Sequence, residues 1–315
     1  MEIHSLPLSA LSSHPARPFM KTPRTYLAAL LILVGLISTS LSAATYTVSN
    51  TSDTGAGSLR QAITDALAGG AGPHDIQAGG VTGTISLQTV LPTITNTNIR
   101  IHGPTSGTLT VTRGVATAFR IFTVNNSGGG GALPVNRLSI TNGDGGGIGG
   151  NIYVVSAALT LNFCTVSGGV TTGGGGGIAM EGTASATVTI HASTISGNTG
   201  GNVQGGGLYC NDATATAIHT LNITDSTFSG NRSITSTGGG LFVSRALATM
   251  KNCTISGNRS GFNSGGIGVG SSGVTLDLIN CTIANNTADD GNGGGLSATG
   301  TGGSTRQPAA FCGIT

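Results

Sequence analysis

Ionisable side chains are sparse in this 315-residue chain, and their spacing limits the chemistry open to it. Beyond Thr45 the carboxylates are scattered, and Asp289-Asp290 is the one pair adjacent in sequence. A polysaccharide lyase needs clustered carboxylates to hold Ca²⁺ and a nearby Arg or Lys as base, whereas a glycosidase needs two carboxylates at a set separation. Counting back one repeat of the pattern described below places Asp289 and Asp290 beside Gly261 and Phe262, near Arg259, which shares a column with Arg232. Asp289, Asp290 and Arg259 are therefore the candidate catalytic set, with Ca²⁺ as a cofactor under that reading only. The same side chains also read as a solvated turn in which acids balance arginines.

Other reactive residues form no constellation. His191 and His219 precede the central threonines of their repeat phrases by three and eight residues, so they share no position and suggest no metal site. Gly143-Asp-Gly-Gly-Gly-Ile148 has the look of a Ca²⁺-binding nonapeptide repeat, but its aspartate does not recur. No helix or lysine follows the glycine runs, which excludes phosphate loops. Trp is absent and Tyr46, Tyr153 and Tyr209 are the only tyrosines past residue 44, which weighs against a sugar-stacking cleft. No cofactor is implied outside the Ca²⁺ reading.

What the sequence does carry is a repeat. The phrase Ser193-Thr-Ile-Ser-Gly-Asn198 returns as Ser226-Thr-Phe-Ser-Gly-Asn231, Cys253-Thr-Ile-Ser-Gly-Asn258 and Cys281-Thr-Ile-Ala-Asn-Asn286, preceded by a degenerate Cys164-Thr-Val-Ser-Gly-Gly169. Steps between the central threonines are 29, 33, 27 and 28 residues. A glycine run ending in an aliphatic, such as Gly205-Gly-Gly-Leu208 and Gly238-Gly-Gly-Leu241, is interleaved at the same period. Two phrases alternating at one period describe one unit stacked on itself. Within a unit, Val274-Thr-Leu-Asp-Leu278 alternates apolar with polar, the period of a strand with one buried face. Roughly three strands of about 3–5 residues per unit, joined by Gly/Asn/Ser turns, are expected.

Propeller blades need about 40 residues, so the expected architecture is all-β: a parallel β-helix, right-handed by the crossover rule, in which each repeat makes one coil. Asn198, Asn231, Asn258 and Asn286 are expected to stack as a ladder at a turn, bonding the backbone and tolerating left-handed dihedrals. Thr194, Thr227, Thr254 and Thr282 point outward. With Ser196, Ser229 and Ser256, and with Thr165 and Ser167 ahead of them, they make two columns of hydroxyls. β-propensity and solubility explain such columns on their own, and a flat polar array also suits a glycan or another regular surface. Cys164, Cys253 and Cys281 occupy a column shared with Ser193 and Ser226, which marks a small inward slot. A Cys253–Cys281 disulfide is open to an exported protein, though stacked side chains need not meet its geometry. Cys210 and Cys312 have no evident partner.

At the N-terminus, Met20-Lys-Thr-Pro-Arg24, the apolar run Leu27–Ile37 and Ser42-Ala-Ala44 read as a signal peptide with its cleavage site, with Met20 a candidate start. Arg17, Lys21 and Arg24 carry three of the thirteen cations and Glu2 one of the eleven acids, so the remaining chain is formally neutral. That excludes a basic nucleic-acid footprint. The run is short for a bilayer, so no membrane span is expected past the leader. Ser58-Leu-Arg-Gln61 is a capping box, and Leu59, Ile63 and Leu67 form an apolar stripe, predicting a capping helix near 58–68.

Gly205-Gly-Gly-Leu-Tyr209 and Gly238-Gly-Gly-Leu-Phe242, with Phe228-Ser-Gly-Asn231, resemble the repeat signature of the polymorphic outer-membrane proteins, with Ile195, Ile255 and Ile283 in the Phe position. Thr47-Val-Ser-Asn50 and Gly57-Ser-Leu-Arg-Gln-Ala-Ile63 are similar to the start of many exported bacterial β-helix proteins. The resemblance covers most of residues 45–297. It implies a secreted or cell-surface β-helix, often adhesive, with glycans or other surface components as partners and no catalytic residues. The alternative is a pectin-lyase-like enzyme. Residues 1–44 are thus the leader, 45–135 the cap and first irregular coils, and 136–297 the regular repeats. Residues 298–315 hold no strand-turn phrase and are expected to be an irregular tail, too short and polar to cap the stack, leaving the final coil to fray or to pair end to end with a second copy, as in a truncated chain.

Overall fold

The computed structural model describes residues 43–298, apart from 71, 96–97, 127–130, 212–216 and 271–272, together with the backbone of strands Gly303–Arg306 and Gly313–Ile314. The expected leader up to residue 42 and the segment Gln307–Cys312 lie outside the described residues. Alternation along each segment builds strands with one buried face: Val274–Ile279 buries every second residue, and Thr282–Ala284 buries its central Ile283. No single strand can bury that face alone, so each stacks on the equivalent strand of the next repeat. The result is a parallel β-solenoid. Sheet 1 has ten strands, sheet 2 nine and sheet 3 seven, and a fourth sheet of four two-residue strands appears in the later coils. That short fourth sheet was not expected.

One coil shows the path. The chain runs through Thr187–His191 in sheet 1, Thr194–Ser196 in sheet 2, Thr199–Gly200 in sheet 4 and Leu208–Cys210 in sheet 3. It then enters His219–Thr224, which pairs in parallel beside the strand where the coil began. The register is one-for-one: Thr194 faces Thr227, Thr227 faces Thr254, and Thr254 faces Thr282. Inward residues therefore stack in files such as Ile195, Phe228, Ile255 and Ile283, all fully buried. A second, smaller apolar layer lies outside sheet 3, where Tyr209 stacks on Phe242 at 6.1 Å and Val203 packs against them.

The asparagines form a buried chain of amides. Asn231 Oδ1 accepts from both the backbone N–H and Nδ2 of Asn198, while Asn231 Nδ2 donates to Ile195 O and to Asn258 Oδ1. Asn258 and Asn286 repeat the arrangement. The left-handed dihedral expected at these asparagines sits one residue earlier, at Gly197, Gly230, Gly257 and Asn285, because an inward-turned amide needs the corner made before it. The degenerate coil with Gly169 keeps the ladder by another route. Asn151, fully buried, donates from Nδ2 to Asn198 Oδ1, and Asn198 Oδ1 also accepts from Gly169 N.

The ladder explains the glycine phrase. In Gly205-Gly-Gly207 the first glycine has φ 77°, a turn that L side chains resist. A Cβ on the second would collide with the backbone of Arg232 in the next coil, and one on the third would lie 2.9 Å from Asn231 Cγ. The two repeated phrases are thus halves of one contact.

The N-terminal helix α1, Leu59–Ala68, buries Leu59, Ala62, Ile63 and Ala66. Ser58 Oγ accepts from Gln61 N as expected, but Gln61 Nε2 turns to Asp65 instead of completing the box. Strand Ala44–Thr47 already pairs with His74–Gln77, so sheet 1 begins before the helix. Beyond residue 297, Gly303–Arg306 pairs with Val274–Asp277 and Gly313–Ile314 with Thr282–Ile283. Sheets 1 and 2 therefore continue past the last regular repeat, where an irregular tail was expected, because backbone pairing does not need the repeat phrase.

Replacing Asn231 by Ala removes the partner of Asn198 N–H and of Ile195 O. At about 1–3 kcal/mol per orphaned buried group, the urea midpoint followed by circular dichroism should fall clearly. Gly239→Ala, whose Cβ would strike the Arg259 carbonyl, should cost more than Gly197→Ala, where space is open and the cost is about 1–2 kcal/mol of left-handed strain.

Candidate functional site

Two of the three candidate catalytic residues, Arg259 and Asp289, come together, but as a surface ion pair. Arg259 and Thr287 are register partners in sheet 4, and Asp289 N donates to Ser260 O one residue beyond. Arg259 Nε reaches Asp289 at 2.8 and 3.0 Å, with the arginine side chain 57% exposed. Asp290 is exposed, and Arg232 stacks on Arg259 in register. Asp289 is thus tied to its own cation on an open turn. The geometry offers no enclosed bed for a sugar ring.

The remaining reactive side chains are bound into the fold. His191 lies 2.9 Å from Thr224 Oγ1 and 3.4 Å from Asp225 Oδ2, and the fully buried His219 takes the Ala186 N–H at Nδ1. Asp144 Oδ1 closes a tight turn by accepting from Gly146 N. Among the described residues, no group of three or more His, Cys, Asp or Glu is placed to hold a metal ion. Cys164, Cys253 and Cys281 are buried in one file as free thiols, and each donates to backbone carbonyls such as Val135 O, Ile223 O and Met250 O. Ser193 and Ser226, in the same file, bond His191 O and Thr224 O. The slot therefore selects a small donor. Burial pushes the Cys164 thiol up to about 11, and its hydrogen bond to Cys281 holds the Cys253 thiol well above the ordinary thiol range.

The most regular surface is the outer face of sheet 2. From Thr84-Ile-Ser86 and Thr110-Val-Thr112 to Thr254-Ile-Ser256 and Thr282-Ile-Ala284, every strand turns its middle residue inward and the flanking two outward. Through the eight strands whose side chains are described, both outward positions are Ser or Thr, except Ala284. Register pairing runs unbroken from Gly83–Leu87 to Thr282–Ala284. Sequence reading found the hydroxyl columns only from Thr165 onward; the pairing extends them to the first coils. Thr112 Oγ1 accepts from Asn142 Nδ2, and the other hydroxyls of this face have no side-chain partner within the protein among the described residues.

Sheet 1 supplies an internal comparison. Its outward positions hold Arg100, Pro134, Leu247, Lys251 and Asp277 among threonines. Strand propensity acts equally on both sheets, so it does not by itself explain an uncharged face on sheet 2. At the corner between the sheets lies a hollow of about 200 Å³, lined by Pro104, Arg137, Ser139 and Phe163. Phe163 is 51% exposed, with the Arg137 guanidinium 4.9 Å above its ring and His191 edge-on at 5.6 Å. This aromatic was missed. Its signal was available, since the other coils carry Ala192, Asp225, Asn252 and Asn280 at that left-handed corner.

Cys164 keeps its proton in the fold to a higher pH than in the unfolded chain, so stability is whole below about pH 9 and falls as pH rises toward about 11. Cys164→Ser, which copies Ser193, should flatten that alkaline loss in urea titrations run at neutral and alkaline pH. Set beside protein-family models, curated proteins and solved structures, the chain matches none of them.

Proposed function

We propose that this is a non-catalytic, exported β-helix repeat protein with an adhesive or structural role, whose working surface is the outer face of sheet 2. The observation that carries the reading is the charge-free array of Ser and Thr over eight register-paired strands, broken at Ala284, beside a first sheet that mixes charges and apolar residues. Supporting it, the acids and cations lie apart or pair with one another at the surface, as Asp289 does with Arg259. The signal-like leader and the likeness to polymorphic outer-membrane protein repeats favour a secreted or cell-surface location, with glycans or other surface components as partners. Among the described residues, no helix is long and apolar enough to cross a membrane.

Beads coated with the purified chain should adhere to uncharged hydroxylated solids, and Thr194→Lys with Thr227→Lys should abolish adhesion while leaving the circular dichroism spectrum unchanged. Polyuronides with and without Ca²⁺ should not be turned over. Turnover abolished by Asp290→Ala would overturn this reading in favour of a lyase.

A further inference from the structure

We infer that the hydroxyl face of sheet 2 binds the ordered water lattice of ice; this rests on the reading of that face as the working surface and names its partner. Four observations converge. The first is dimension. Neighbouring rungs of a parallel sheet lie about 4.8 Å apart, and residues i and i+2 of one strand about 6.7 Å apart. These two repeats lie close to the oxygen repeats along the a and c axes of hexagonal ice. Eight rungs in one-for-one register carry the pattern over roughly 34 Å at that spacing.

The second is chemistry. The column from Thr84 to Thr282 is threonine in every described rung except Ser139, so each of those rungs carries both a methyl and a hydroxyl, repeated at rung spacing. A methyl orders water into a cage, while a hydroxyl anchors that water by donating and accepting. A charge instead draws water into a radial shell that fits no lattice, and this face has none at its outward positions. The third is availability: apart from Thr112, these hydroxyls make no side-chain hydrogen bond inside the protein among the described residues. The fourth is rigidity. Threonine is stiff at χ1, and the buried asparagine ladder beside sheet 2 fixes the rungs against slippage.

A polysaccharide surface fits less well. Sugar rings are held largely by stacking on aromatic faces, and the one aromatic within these strands, Phe228, points into the core. The second column is mostly serine, Ser196 and Ser229 among them, so it has hydroxyls without methyls. The face therefore has room for improvement at defined positions.

The test is growth of a single ice crystal in a solution of the purified chain, with its partition into a slowly advancing ice front. The expected result is a faceted crystal arrested over a freezing gap beyond the colligative value, and enrichment of the protein in the ice. Thr194→Lys with Thr227→Lys should lose both effects. Thr189→Lys with Thr220→Lys on sheet 1 should retain both, and Ser196→Thr with Ser229→Thr should widen the gap. Circular dichroism shows that each variant is folded. Colligative freezing alone, or arrest that survives the sheet 2 lysines, overturns the inference. If ice is not bound but the beads still adhere to hydroxylated solids through Thr194 and Thr227, the ice inference fails and the adhesive reading stands. If neither occurs, both fail.

Discussion

The interaction on which this solenoid depends is the hydrogen bond between the asparagine amide of one coil and that of the next. Each Oδ1 takes two N–H groups from the preceding coil, and each Nδ2 links that coil's strand carbonyl to the following amide. These bonds are made without water, where an unpaired amide is costly and a paired one is strong. The consequence reaches well beyond four side chains. Space for the amide requires glycine at the end of the Gly-Gly-Gly phrase, and contact with the next coil requires glycine in its middle. The amide also fixes where sheet 2 ends and sheet 4 begins. Register, corner and period follow from one buried contact.

That contact also divides each coil into a fixed part and a free part. From the cysteine or serine slot through the hydroxyl strand to the asparagine, every repeat keeps the same number of residues. Variation in repeat length falls mainly between sheets 3 and 1, from the long passage between Cys210 and His219 to the short one between Val243 and Ala246. An insertion there displaces a surface loop, whose cost rises only slowly with length. An insertion beside Asn231 would move an amide out of line. The periodic outer face of sheet 2 therefore persists although the coils differ in circumference.

Much of this was legible in the sequence because it is periodic. Thr-Ile-Ser-Gly-Asn announces a strand and a stacked amide wherever it occurs, and Ser58 with Leu59 and Ile63 announces the capping helix. What escaped reading depends on contacts between residues with no shared phrase. Asn151 joins the ladder from another point of its coil, where the Gly169 position leaves space that only the folded stack reveals. Tyr209 and Phe242 read as ordinary strand residues, yet a loop carrying Val203 closes over them and makes a second apolar layer. Gly303–Arg306 lacks the repeat phrase and still pairs, since a parallel edge recognises backbone before side chain. Coil register led to Asp289 beside Arg259, and of the two readings that spacing left open, a site or a solvated turn, the exposed ion pair fits the turn.

The amide chain also has a direction. Every Oδ1 in it points toward the N-terminal neighbour, while one hydrogen of each Nδ2 points toward the C-terminal one. The stack therefore behaves as a polar rod whose two faces differ: a completed coil presents donors forward and acceptors backward. A newly arriving coil meets two waiting N–H groups aimed at the place its own carbonyl must occupy, so each finished turn is a template for the one that follows it in sequence. The two ends of the ladder therefore differ in chemistry, the Asn198 end offering an acceptor and the Asn286 end donors.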